Sequence, residues 1–158
     1  MENAHDAFPI EFLDIQQNHR LLFGKDLVSG IRVSTRHHRQ QVERELRGGL
    51  LRLRSRYLAV QRREKEVVEL MARSLASFAT LARHALIIAQ TGTGAAAPAK
   101  KREIFAAAAA KFGLDAAPFE TVLELREETR QVNGDQAQAL FASYLEQITK
   151  LEEAVDRL

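Results

Sequence analysis

The sequence predicts an all-α protein, an up-and-down bundle of about five helices preceded by one short N-terminal β-strand. From Ser34 onward, apolar residues recur at intervals of three and four over long stretches, which is the period of helices that each bury one face. Short segments rich in Gly, Pro or Asn separate those stretches, as neighbouring helices of a bundle require. Ahead of them, Phe8-Pro9-Ile10-Glu11-Phe12-Leu13-Asp14-Ile15 reads as a strand. Phe8, Ile10 and Phe12 alternate with Glu11 and Leu13, so they occupy opposite faces of an extended chain. A lone strand leaves its backbone groups unsatisfied. It is therefore expected to pair with another molecule or to close a sheet encoded upstream.

After the strand, Gln16 to Phe23 suits a short helix stopped by Gly24, and Lys25 to Gly30 a turn or loop. A long helix should start at Ser34 or Thr35, either of which can cap it. Its seam is Val42, Leu46, Leu50, Leu53, Tyr57 and Val60. Gly48-Gly49 in its middle costs about 1 kcal/mol per glycine relative to alanine, which close helix packing or a local kink would explain. The next helix, about Glu64 to Gln90, is apolar around more than half its circumference and belongs at the centre of a bundle. Thr91 to Pro98 has the composition of a linker. Lys100 to Phe112 is helical up to Gly113. Ala116 to Arg130 follows, with Asp115 as cap and Pro118 in the first turn. Asn133-Gly134-Asp135 turns the chain into a last helix, Gln136 to Leu158, with Leu140, Tyr144, Ile148, Leu151 and Val155 along one side.

A chain of 158 residues, 46% hydrophobic and 28% charged, is long enough to bury a core without staples. With no cysteine, disulfides and thiolate metal sites are excluded, and a reducing compartment is compatible. No secretory signal is evident, and the apolar run Ala85 to Ala89 is too short to cross a membrane. A cytoplasmic location is the default expectation, and no cofactor is expected. The net charge of +2 conceals an asymmetry. Arg32 to Lys65 holds eleven Lys/Arg against three Glu, and Asp115 to Leu158 four against ten Asp/Glu. Such segments can attract each other or serve different partners.

Phe8 to Ile15, followed by Leu21-Leu22-Phe23-Gly24, resembles the closing segment of small nucleotidyltransferase domains of the DNA polymerase beta superfamily. There a late strand carries a third metal-binding carboxylate, and a helical bundle of the HEPN class commonly follows. Gln41 to Arg47 and the tail from Tyr144 to Leu158 look like such helical partners. The resemblance implies a strand and short helix over residues 1–30, the remnant of a sheet domain, and a bundle over 31–158. It matches Glu11 to the third carboxylate. The family's Gly-Ser turn and Asp-x-Asp pair are absent, so Glu11 is expected to be vestigial, with no Mg²⁺ held against a triphosphate. HEPN ribonucleases also carry an Arg followed four to six residues later by His, a spacing that Arg32 shares with His37 and His38.

Two further sets of residues are candidates. On a helical wheel Arg36, Arg47 and Arg54 align within about 20°, with Arg44 in a neighbouring row. Arginines so spaced can follow a phosphate backbone. They can equally form a solvated face that pairs with the acidic C-terminal helices. Arg73, Ser77, Thr80 and His84 share another face, either a small polar pocket for a phosphate or carboxylate or an exposed helix edge. The expected function is a non-catalytic accessory or oligomerisation module of a nucleotidyltransferase-like protein. It would be a homodimer through helix faces and the N-terminal strand. Nucleic-acid binding through residues 35–63 and a HEPN-type ribonuclease are the alternatives.

Overall fold

The computed structural model describes residues 9–18, 23, 25–26, 34–90 and 97–158. Among them are six helices: α1 (Pro9–Asn18), α2 (Thr35–Val60), α3 (Glu64–Ala89), α4 (Lys101–Phe112), α5 (Ala117–Arg126) and α6 (Gly134–Asp156). The five expected from Ser34 onward are all present, with ends within a few residues of the expected ones.

The first element differs. The segment read as a strand is helical over Pro9–Asn18, and no strand occurs among the described residues. A short apolar run does not by its periodicity distinguish strand from helix. Here Pro9 stands at the first helical position, where its missing N–H costs nothing, and Glu11 lies in the first turn, favourable to the helix dipole. The helix satisfies its own backbone, which removes the need for a partner strand. The expected short helix from Gln16 to Phe23, its stop at Gly24, Arg32 and most of the linker Thr91 to Pro98 lie wholly or partly outside the described residues. The expected boundary at residue 30 does not isolate α1, because α1 packs on α2 and Ile10 joins the common core.

Helices α2 and α3 form an antiparallel hairpin around the turn at Gln61-Arg62, where the Arg63 amide donates to the Val60 carbonyl at 2.8 Å. Within the expected seam, Val42, Leu46, Leu50 and Leu53 are buried, and Tyr57 and Val60 pack against the core. Of the two glycines, Gly49 explains itself. A Cβ there would lie 3.1 Å from Phe78 Cε1, whereas at Gly48 it would meet only the end of the Arg52 side chain. The bare backbone at Gly49 lets α2 and α3 approach closely.

Helix α3 is central, in contact with α2, α4, α5 and α6. Its inner face, from Val67 through Met71, Leu75 and Phe78 to Ala82 and Leu86, is buried. Gly113 ends α4 in the left-handed region at φ 70°, and the Gly113 and Leu114 amides both donate to the Ala109 carbonyl. This closure suits glycine. Asp115, expected as the cap of α5, stands one residue before its N-cap Ala116, and its Oδ1 accepts from the Ala117 amide at 2.9 Å. Asn133 opens α6 with a reciprocal capping box to Gln136.

The aromatic core joins four helices. Phe105 of α4 stacks on Phe119 of α5 with centroids 4.1 Å apart, and Tyr144 of α6 meets Phe119 and Phe78 edge-on. The Tyr144 hydroxyl reaches Ser74 Oγ at 3.0 Å, so the buried ring keeps a polar partner. Basic α2 and acidic α6 do attract each other. Arg47 contacts Glu43, Glu152 and Asp156 at 2.7, 2.6 and 3.1 Å, and Arg54 reaches Thr149.

Candidate functional site

Between α2 and α3 runs a cleft of about 420 Å³, with the start of α1 at one end. Its floor is apolar, formed by Leu53, Leu70, Phe78 and Leu81 beside Gly49. The rim is polar. Glu11 and Glu45 stand at the α1 end, with the Arg52 guanidinium folded back toward Glu45, while Arg56 and Arg73 stand toward the α2–α3 turn. Ser74, Ser77 and Thr80 add hydroxyls from α3. Antiparallel packing creates this order, because residues late in α2 oppose residues early in α3.

Three of the four residues expected to share a polar face, Arg73, Ser77 and Thr80, line this cleft. The fourth, His84, does not. It is fully buried behind the cleft's α1 end, in a chain of polar groups that ties α1 to the bundle. Asp14 Oδ1 accepts from Arg83 Nη1 at 2.7 Å and lies 3.1 Å from His84 Nε2. His84 Nδ1 lies 2.9 Å from His38 Nε2. With His84 donating to the carboxylate through Nε2, its Nδ1 accepts from His38, and His38 Nδ1 is left as the basic nitrogen. One turn along α2, Gln41 Oε1 accepts from the Ile10 amide at 2.8 Å, and Gln41 Nε2 donates to Glu11 at 3.0 Å. Gln41 thereby satisfies an amide at the start of α1 that has no intrahelical partner.

Burial holds both histidines neutral. For His38, desolvation comes first and the neighbouring His84 second, pulling its pKa to about 4 against the opposing pull of Asp14. His84 is also lowered, by desolvation first, with Asp14 acting in the opposite sense. A buried cation is costly, and one carboxylate shared with Arg83 does not offset that cost.

Glu11, expected as a vestigial metal carboxylate on a strand, sits instead on helix α1, hydrogen-bonded to Gln41 and facing the cleft. Among the described residues, no group of three or more His, Cys, Asp or Glu side chains is placed to hold a metal ion. The expected arginine row is divided. Arg47 and Arg54 are engaged by α6, whereas Arg36 and Arg44 are exposed on the outside of α2. Of the two histidines at the Arg-to-His spacing, His38 is enclosed in the buried network and His37 is half-buried. Arg32 lies outside the described residues.

The sequence reading missed the Asp14–His84–His38 chain. The available signals were a carboxylate inside an apolar run and a histidine on an apolar helix, and only docking of α1 links them. Arg52 and Arg56 were visible as a flank of the basic helix, but not as part of a cleft.

Compared with known protein families, curated proteins and solved structures, the chain matches none. No helix among the described residues is long and apolar enough to cross a membrane.

Proposed function

We propose that this chain is a helical accessory module that self-associates as a homodimer and does no chemistry of its own, the helical part of a nucleotidyltransferase-like protein. The observation that carries self-association lies on the outer ridge of α2. Leu51 and Leu58 are 66% and 68% exposed and stand two helical turns apart on the side opposite the buried seam. They belong to a row, Arg44, Gly48, Leu51, Ser55, Leu58 and Arg62, spaced by four, three, four, three and four, the spacing of a coiled-coil seam.

An antiparallel copy related by a two-fold axis near Leu53 lays Leu58 over the partner's Gly48, beside the Arg52 guanidinium, and Leu51 over the partner's Ser55, large against small. Arg44 meets the partner's Arg62 at each end, a like-charge contact that salt screens. Such isologous pairing closes at two subunits. A seam with only two leucines per copy supports a modest affinity. The link to a nucleotidyltransferase-like partner rests on the resemblance of Phe8 to Ile15 and Leu21 to Gly24, and the helical state of Pro9–Asn18 does not strengthen it. Engagement of Arg47 and Arg54 by α6 favours the dimer reading over the nucleic-acid one.

Light scattering at tens of micromolar tests the proposal. A mass of two chains is expected, falling to one in Leu51→Lys/Leu58→Lys with an unchanged circular dichroism spectrum. A wild-type protein that stays monomeric overturns it.

A further inference from the structure

We infer that the α2–α3 cleft is a binding site for a small organic anion with an apolar body, a phosphate or carboxylate on a hydrocarbon framework. This does not depend on self-association, since the cleft opens to the side of α2 and the Leu51–Leu58 ridge faces outward.

The cleft's size lies within the range of small-molecule sites, which run from about 300 to 1,000 Å³. Its composition is also that of such a site, an apolar floor with a few converging polar groups. At the centre, the Phe78 ring turns an edge toward Gly49, with Cε1 and Cζ 3.1 and 3.2 Å from where a Cβ would stand. Together with Leu53, Leu70 and Leu81 it makes the floor apolar.

Toward the α2–α3 turn, Arg56 of α2 and Arg73 of α3 stand on either side of this floor, and Arg52 folds back over Gly48. Arg73 pairs with Glu69 on its own helix, and Arg52 reaches Glu45 only at 3.8 Å. Arg56 makes no ion pair among the described residues. Planar guanidinium groups bind phosphate and carboxylate through paired hydrogen bonds, and Ser77 stands beside them as a hydroxyl donor. At the other end Glu11 and Glu45 repel an anion. The acidic and basic ends therefore orient the ligand with its charged head toward Arg56 and Arg73 and its body over the apolar floor.

Isothermal titration of the full chain with 2-naphthyl phosphate, 2-naphthoate and 2-naphthol decides the matter. At least one anion should bind, and neutral 2-naphthol at least tenfold more weakly. Arg56→Ala/Arg73→Ala should weaken the anion tenfold or more, and Arg36→Ala, on another face of α2, should leave it unchanged. Ser77→Phe, on the exposed rim, should block the cleft without altering the fold. The relative affinities of phosphate and carboxylate identify the preferred head group. Absence of anion binding, equal binding of 2-naphthol, or binding indifferent to the arginine pair and to Ser77→Phe would each overturn the inference.

Discussion

His38 and His84 meet edge-on inside the hairpin of α2 and α3, His38 Nε2 lying 2.9 Å from His84 Nδ1. The pair works as a neutral relay from α2 to Asp14, so helix α1 is held by a buried hydrogen-bonded chain. A proton at His84 Nδ1 would set N–H against N–H and break the link between the rings. A proton at His38 Nδ1 would leave that hydrogen bond in place and cost the burial of a cation beside His84.

The fold should therefore weaken in mild acid. Folded-state pKa values lie below the ordinary 6.5, at about 4 for His38, so below pH 6.5 the unfolded chain binds protons that the folded chain refuses. Stability is complete above that pH and falls as pH drops toward 4, by up to about 1.4 kcal/mol per unit for His38, with His84 acting in the same direction. Urea midpoints at pH 7.5, 6.0 and 5.0 should decline, and more gently in His38→Leu. A wild-type midpoint that is flat over this range would contradict the relay.

The two adjacent glycines of α2 should respond oppositely. Gly48→Ala meets only a flexible arginine end and should stabilise by about 0.5–1 kcal/mol through helix propensity. Gly49→Leu drives a side chain into Phe78 and should destabilise by roughly 1–3 kcal/mol. Thermal melts of the two variants, shifted in opposite directions, check this. It fails if both shift the same way.

Tyr144 joins the aromatic core to Ser74. Tyr144→Phe should cost about 0.5–1.5 kcal/mol for the hydrogen bond, and Tyr144→Ala about 3–5 kcal/mol for the cavity. Burial also raises the phenol's pKa above its ordinary 10. Ultraviolet titration should show one of the two tyrosines ionising only as the protein unfolds in alkali.

Asn133→Ala removes the capping box of α6 and should lower stability by about 1 kcal/mol. Asn133→Ser should recover most of that loss in a denaturant titration, since its hydroxyl can accept from the Gln136 amide.

Much of the bundle was legible because its signals are local. The seam from Val42 to Leu53 and the apolar surround of α3 identify their own buried faces, and Gly113, Asp115 and Asn133 mark helix ends through backbone chemistry confined to a few residues. Phe8 to Ile15 was misread because eight largely apolar residues fit period two as well as they fit two turns of helix. What decides between them is Gln41 and Arg83, distant in sequence, which grip the helix. The site divides in the same way. Spacing alone placed Arg73, Ser77 and Thr80 on one face of α3. It also placed His84 there, and could not reveal that the bundle closes over that end.

The sequence by itself determined that the chain from Ser34 onward folds as helices, to within a few residues where each begins and ends, and which stripe each buries, since these follow from propensity, turn residues and period. Only the tertiary structure decided that the first segment is a helix and that His38, His84 and Asp14 form one chain. The gathering of Arg52, Arg56 and Arg73 around a single cleft was decided there too. Those outcomes depend on contacts between residues up to 70 positions apart, whose partners are chosen by the packing of whole helices and leave no periodic trace in either segment.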